Sequence, residues 1–286
     1  MQNDVFYSDM ALDNLENRGI ADLATVKKLS YGISQSVVNV KNNVLSNRIG
    51  KPKGVYVTYD TSKITDTGYA DYLSKIMAST IRQVVGILPA KSTILAVGLG
   101  NGQVLADSLG VKVVERINAT RGDKLYDHRY NLCTHPLGVE GATGIKSHEI
   151  LSALCDKLKP SAILVFDTLS TTNVTRLGAS FQISSAGITP GSGVGSDNPP
   201  MNKETYGVPT ISIGVPLVLT MQGVIKDFVK SYNETNPTFN VDEFSFHSTL
   251  SDKKLSRLVV APKEVKLHLD NASNIIARAV NLAYSF

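Results

Sequence analysis

The chain has 286 residues, 42% of them apolar and none of them tryptophan, enough to bury a sizeable core in one large domain or two small ones. Its 29 Lys and Arg against 25 Asp and Glu leave a formal charge of only +4, scattered rather than blocked, and no nucleic-acid-binding motif is present, so a nucleic-acid partner is not expected. Two cysteines without metal-site spacing suit a reducing compartment. The polar N-terminus and the lack of a long apolar run argue against a signal peptide or a membrane span, so a cytoplasmic protein is expected.

Residues 1–50 are polar and mixed, with short helices expected over 9–17 and 21–29. Val55 to Tyr59 is β-branched and aromatic and reads as a strand. From about 67 to 87 the apolar residues Tyr72, Ile76, Met77, Ile81, Val84 and Val85 recur at helical spacing. A strand over 93–99, a Gly-rich turn and a helix from Asp107 follow. A second strand is placed at 111–117, with 130–134 as its competitor. Ile150, Leu151, Leu154 and Leu158 define an amphipathic helix over 148–158, with Ser147 as its cap, and Lys159-Pro160 stops it. Strands are expected at 162–166, 181–183 and 211–215. Residues 231–256 read as a polar insertion or lid, and a helix over 262–284 closes the chain. This β-α-β-α-β rhythm, with apolar and non-alternating strands, predicts one α/β domain over 1–286: a mostly parallel twisted sheet with helices on both faces.

Two carboxylates stand out against that rhythm. Asp107 follows the strand-and-turn Ile94 to Asn101, and Asp167 closes the apolar run Ala162 to Phe166. The C-terminal ends of such strands are where open α/β sheets bind ligands. Asp107 has a purely structural alternative, because Asp commonly caps a helix N-terminus. Asp167 follows five apolar residues and would need a specific buried partner to be structural. Two carboxylates sharing one site cannot both ionise cheaply. One keeps a proton while the other acts as base, which is chemistry able to activate water against a peptide. Asp107 is taken as the base and Asp167 as its proton-sharing partner, an assignment the sequence leaves open to exchange.

Other motifs carry less. The third glycine of a dinucleotide fingerprint falls on Gln103, so Gly98-Leu99-Gly100 reads as a tight turn that lets Asp107 face the crevice. His128, His135 and His148 lack the i, i+4 spacing of a helical zinc pair. Gly191-Ser192-Gly193 lacks the strand-to-helix context of a serine nucleophile. The loop 187–195 is expected to border the cleft. Gly100, Asn101, Gly141, Thr143, Gly191, Ser192 and Gly193 are its candidate substrate-binding positions.

Several segments resemble the germination protease family of spore-forming bacteria. They are Leu95 to Asn101, Asp107-Ser108-Leu109-Gly110, Gly138 to Ile145, and Ile163 to Leu169. A longer match runs from Thr175-Arg176 through Gly187-Ile188-Thr189-Pro190-Gly191-Ser192-Gly193-Val194-Gly195, and Lys203 to Pro209 and Pro262-Lys263-Glu264-Val265 extend it. The resemblance implies a phosphorylase/hydrolase-like, hydrogenase-maturation-protease-like α/β fold and an atypical aspartic endopeptidase without cofactor. It also implies small acid-soluble spore proteins as substrate in the spore core, and a homotetramer. The family's catalytic acids fall on Asp107 and Asp167. Members are made as zymogens, and Tyr7 to Ala11 resembles the processing segment, which implies a propeptide of residues 1–9 cut near Asp9-Met10. The chain departs from the pattern at Lys146, where the family carries an acid, and at Ala106, where a proline is expected. A metal-dependent maturation-type protease and a catalytically silent binding protein remain as alternative readings.

Overall fold

A computed structural model describes residues 8–62, 68–191, 198–236, 241 and 258–285. Ser192 and Gly193, residues 1–7 of the expected propeptide, and most of the expected insertion lie outside the described residues.

All nine described strands join one sheet: β1 (Ala24–Lys28), β2 (Ser34–Val40), β3 (Gly54–Asp60), β4 (Thr93–Leu99), β5 (Asn131–Gly138), β6 (Ala162–Thr171), β7 (Ser180–Ser184), β8 (Thr210–Thr220) and β9 (Val259–Val260). Their order is β1-β2-β3-β7-β8-β6-β4-β5, with β9 added to β8. The expected parallel sheet is the block β5-β4-β6-β8. Its inner strands β4 and β6 are apolar on both faces because helices cover both. Beyond β8 the sheet continues antiparallel through β7, β3, β2 and β1, so the whole is mixed.

Side-chain parity separates the two layers. Ile94, Ala96, Leu164 and Phe166 face a layer made by α3 (Tyr69–Val85), α4 (Leu109–Val114) and α9 (Val265–Tyr284). Leu95, Val97, Ile163 and Val165 face α6 (Ser147–Leu158). Leu73, Met77 and Ile81 repeat at four-residue spacing on α3, and all three are fully buried beside α9. Ser74 Oγ donates across that interface to the Ile275 carbonyl at 3.2 Å. A smaller cluster, with Ala11, Leu15, Val38, Val40 and Ile49, packs α1 (Ala11–Asn17) and α2 (Asn43–Ile49) onto β2 and β3. The short helices α5 (Glu140–Thr143) and α7 (Lys203–Tyr206) and the longer α8 (Met221–Thr235) complete the chain.

Three expectations need correction. Residues 109–114 form α4 rather than a strand, and the edge strand is β5, the competing segment. Val111-Lys112-Val113-Val114 has strand-like composition, but Gly110 lets the segment sit on the sheet as a helix. A Cβ at Gly110 would lie 2.3 Å from the Phe166 carbonyl oxygen. Residues 24–28 are β1 rather than a helix, because β2 offers them an antiparallel edge. Ser147 does not cap α6: it is the first helical residue and its hydroxyl donates to the Gly138 carbonyl at 3.1 Å. The Lys146 N–H instead donates to Glu149 Oε2 at 2.9 Å.

Candidate functional site

The chain runs from β4 outward to edge strand β5, then returns through α6 to β6 on the other side of β4. Strand order reverses between β4 and β6, the switch point at which α/β sheets open a crevice at the carboxyl ends of their strands. A cleft of about 630 Å³ lies there, and Asp9, Asp107 and Asp167 all line it.

Asp107 sits in a single 3-10 turn, Leu105–Asp107, between β4 and α4. The sequence allowed it to be a helix cap, yet it makes no cap bond to α4. Its Oδ2 reaches back and accepts the Asn101 backbone N–H at 2.8 Å. That contact needs Gly100, whose φ is +94° and whose imagined Cβ would lie 1.8 Å from the Asp107 carbonyl oxygen. Asp167 lies within β6 rather than at its end, beyond the last β4–β6 pair, Gly98 with Phe166. Pairing with β8 continues past it, and the register shifts between Leu169 and Ser170. A bulge of this kind re-aims the side chains that follow it.

Ser170 binds the third acid. Its N–H and Oγ donate to Asp9 Oδ2 at 2.8 and 2.7 Å, and the Asp9 N–H donates to the Ser170 carbonyl at 3.3 Å. The segment around Asp9 is pinned throughout. Ser8 Oγ donates to Asp13 Oδ2 at 2.6 Å and the Ala11 N–H donates to Gln182 Oε1 at 2.8 Å. Asp13, on the first turn of α1, also accepts from Thr171 Oγ1 at 2.7 Å and the Thr172 N–H at 2.8 Å. The buried Arg176 guanidinium pairs with Asp13 and Glu16.

The electrostatics separate the two cleft acids of the expected dyad. Burial pushes the Asp167 carboxyl well above the ordinary carboxylate range, and the negative charges of Asp107 and Asp9 add to the shift against one opposing N–H from Thr168. Asp107 is raised by partial burial, offset by the Asn101 N–H. The arrangement therefore favours a proton on Asp167 with the neighbouring charge on Asp107.

Of the other expected positions, Gly100 and Gly191 line the cleft, whereas Asn101, Gly141 and Thr143 do not. The Asn101 N–H is bound to Asp107 and its Oδ1 accepts from the Gln103 N–H, so it shapes the loop. Thr143 Oγ1 bonds locally to Val139 and Ile145. Met10 is fully buried, while Asp9 faces the cleft. Sequence reading did not single out Ser170 as a cleft residue, nor Lys51 and Gln182 as partners of the Asp9 segment. Polar positions inside the apolar-flanked strands β6 and β7 were the available signal for Ser170 and Gln182. Among the described residues, no group of three or more His, Cys, Asp or Glu side chains could hold a metal ion.

Strand order, crevice and acid pair define an α/β protein with a carboxylate-lined cleft at a switch point. The germination protease family model matches residues 3–233. A germination protease of Clostridium perfringens is 31% identical, over 96% of this chain and 94% of its own length. That of Clostridium tetani is 33% identical over the same shares, and that of Bacillus cereus 29%, over 94% and 88%. Among solved structures, a [NiFe] hydrogenase maturation protease of Thermococcus kodakarensis overlaps 48% of this chain and 80% of its own, at 20% identity and a TM-score of 0.34. The chain belongs to the germination protease family, and so to the peptidases. No described helix is long and apolar enough to cross a membrane.

Proposed function

We propose that this chain is an endopeptidase that begins the degradation of small acid-soluble spore proteins at germination, and that Asp107 and Asp167 are its acid–base pair. Ionised Asp107 takes a proton from a water molecule as that water attacks the scissile carbonyl carbon. Protonated Asp167 delivers its proton to the departing amine. The observation that carries this reading is the placing of both acids in one cleft at the β4/β6 switch point, with the Asp167 carboxyl pushed well above its ordinary range by burial and by its neighbours. Gly100 and Gly191 supply backbone around the substrate, and Ser192 and Gly193, next in sequence, are proposed to contribute as well.

The enzyme is made as a zymogen in this reading. Asp9 lies in the cleft with the two acids, which supports cutting of the Asp9–Met10 bond in cis, with residues 1–9 removed by the protein itself. The active form is a homotetramer of the spore core, and light scattering on the purified protein reads its mass.

Incubating purified protein, before and after removal of residues 1–9, with an acid-soluble spore protein tests the whole reading. A few defined cuts are expected. Asp107→Asn and Asp167→Asn should each lower the rate by about 10²-fold or more while the protein stays folded. Wild-type rates in either variant would remove the dyad, and no cleavage by any form would favour a binding protein.

A further inference from the structure

The carbonyl oxygen of Asp9 receives two side-chain hydrogen bonds. Lys51 Nζ donates to it at 3.0 Å and Gln182 Nε2 donates to it at 3.1 Å. Lys51 also donates to the neighbouring Ser8 carbonyl at 2.7 Å, and Gln182 Oε1 holds the Ala11 N–H at 2.8 Å, so both side chains are fixed from a second direction. Both are also buried, at 9% and 5% exposure, where the surrounding low dielectric strengthens a charge-assisted bond. A buried lysine is costly, and burial pulls the Lys51 ammonium down from its ordinary range against the attraction of Asp9 and Asp13. Anchoring a chain terminus could be achieved without a buried charge, since backbone or neutral side chains bond carbonyls adequately.

The sheet places this pair next to the acids. Gln182 of β7 pairs with Gly214 of β8, and Gly214 pairs with Asp167 of β6. Gln182 and Asp167 therefore occupy one row of the sheet and point to the same face, two strand spacings or roughly 10 Å apart, with a residue lacking a side chain between them. Asp9 spans that interval: its carbonyl is held by Gln182 and Lys51, and its carboxylate lines the cleft and acts on Asp167.

We propose that Lys51 and Gln182 form an oxyanion-binding site for the Asp9–Met10 peptide bond, a catalytic element of self-processing. The inference rests on the reading that this bond is the one cut. Water adds to the Asp9 carbonyl carbon and gives its proton to Asp107, and the C=O electron pair moves onto oxygen. The Lys51 ammonium and the Gln182 amide stabilise that negative charge. The pair then returns, the C–N bond breaks, and the Asp167 proton passes to the Met10 nitrogen. The products are an Asp9 carboxyl group and a free Met10 amine. Donors aimed at such an oxygen before reaction cost no reorganisation when its charge develops.

The test follows self-cleavage of the full-length chain by intact mass and N-terminal sequencing. Amide hydrogen exchange at Ala11 reports in parallel on docking of the segment. Wild type is expected to yield a new N-terminus at Met10. K51M should slow this by about 10²- to 10³-fold, and K51R should recover most of the rate because it restores a cation. Q182E removes the Nε2 donor but keeps the oxygen that holds the Ala11 N–H. It should slow cleavage by a similar factor with Ala11 protection retained, and it decides the matter if K51M fails to fold. Slow cleavage accompanied by lost Ala11 protection in Q182E would mean simple anchoring and overturn the proposal. Wild-type rates in K51M and Q182E would overturn it too, with cleavage at Asp9–Met10 left standing. A wild-type chain cut elsewhere, or never cut, would overturn the processing reading and this inference together.

Discussion

The Asp107 carboxylate accepts the Asn101 N–H at 2.8 Å across its own loop, and makes no cap bond to the helix that follows. This holds the carboxylate over the crevice, and it depends on the close approach of Gly100. Gly100→Ala meets both a left-handed φ of +94° and a carbonyl oxygen 1.8 Å from the new Cβ. A loss of about 1–3 kcal/mol is expected from the backbone strain alone. Cleavage of a protein substrate should fall further than stability does, because the loop that aims Asp107 must move. Denaturant titration and a peptidase assay on the same preparation separate the two effects.

Asp167 provides a pH-dependent stability with a definite sign. Its folded pKa is raised above the unfolded value of about 4, so the folded form binds its proton more tightly. The stabilising contribution is therefore complete below about pH 4 and is lost as pH rises through the folded pKa. Asp167→Asn removes the ionisation. The variant should melt at a higher temperature than wild type at neutral pH, and the gap should close on acidification toward pH 4. Thermal melts across that range check both the sign and the closing of the gap.

Activity should follow a bell-shaped pH profile whose limbs belong to the acid pair rather than to either residue. Both limbs should lie above the ordinary carboxylate range, because both acids are raised. Asp9 is one of the charges that raise Asp167. A chain beginning at Met10 lacks that charge, so its alkaline limb should move to lower pH. The pH profile of self-cleavage in the full-length chain, set against that of kcat/KM for the chain beginning at Met10 on a protein substrate, measures the displacement, and coincident alkaline limbs would contradict it.

Arg176 and Asp13 bind α1 to the loop after β6 through a buried ion pair that also involves Glu16, Thr171 and Thr172. Removing one partner leaves the other charge buried. Asp13→Ala or Arg176→Met should each cost about 3–5 kcal/mol. The loss should release the segment from Ser8 to Ala11, seen as faster amide exchange at Ala11. Leu151→Ala, in the α6 layer on the other part of the same sheet face, should cost about 2–5 kcal/mol through its cavity. It should leave Ala11 exchange unchanged at equal distance from unfolding.

By itself the sequence determined the inner strands β4, β6 and β8 of the parallel block and the covering helices α3, α6 and α9. The continuous apolar runs of β4, β6 and β8 and the four-residue spacing on α3 are local signals, set by which faces must leave water. It also placed Asp107 and Asp167 beside the ends of those runs, which made them candidates before any contact was known. The antiparallel half was less legible: β1 and β2 lack a continuous apolar run, and they are strands because β3 offers an edge to β2 and β2 offers one to β1. Val111 to Val114 misled in the other direction, since only contact with the sheet at Gly110 explains its helix. Tertiary structure alone decided what surrounds the acids. It brought Asp9 to Ser170 across 161 residues, and Lys51 and Gln182 to one carbonyl oxygen from opposite parts of the chain. Periodicity reports which face a residue turns to the core, whereas hydrogen-bond partners this distant in sequence are set by strand order and register.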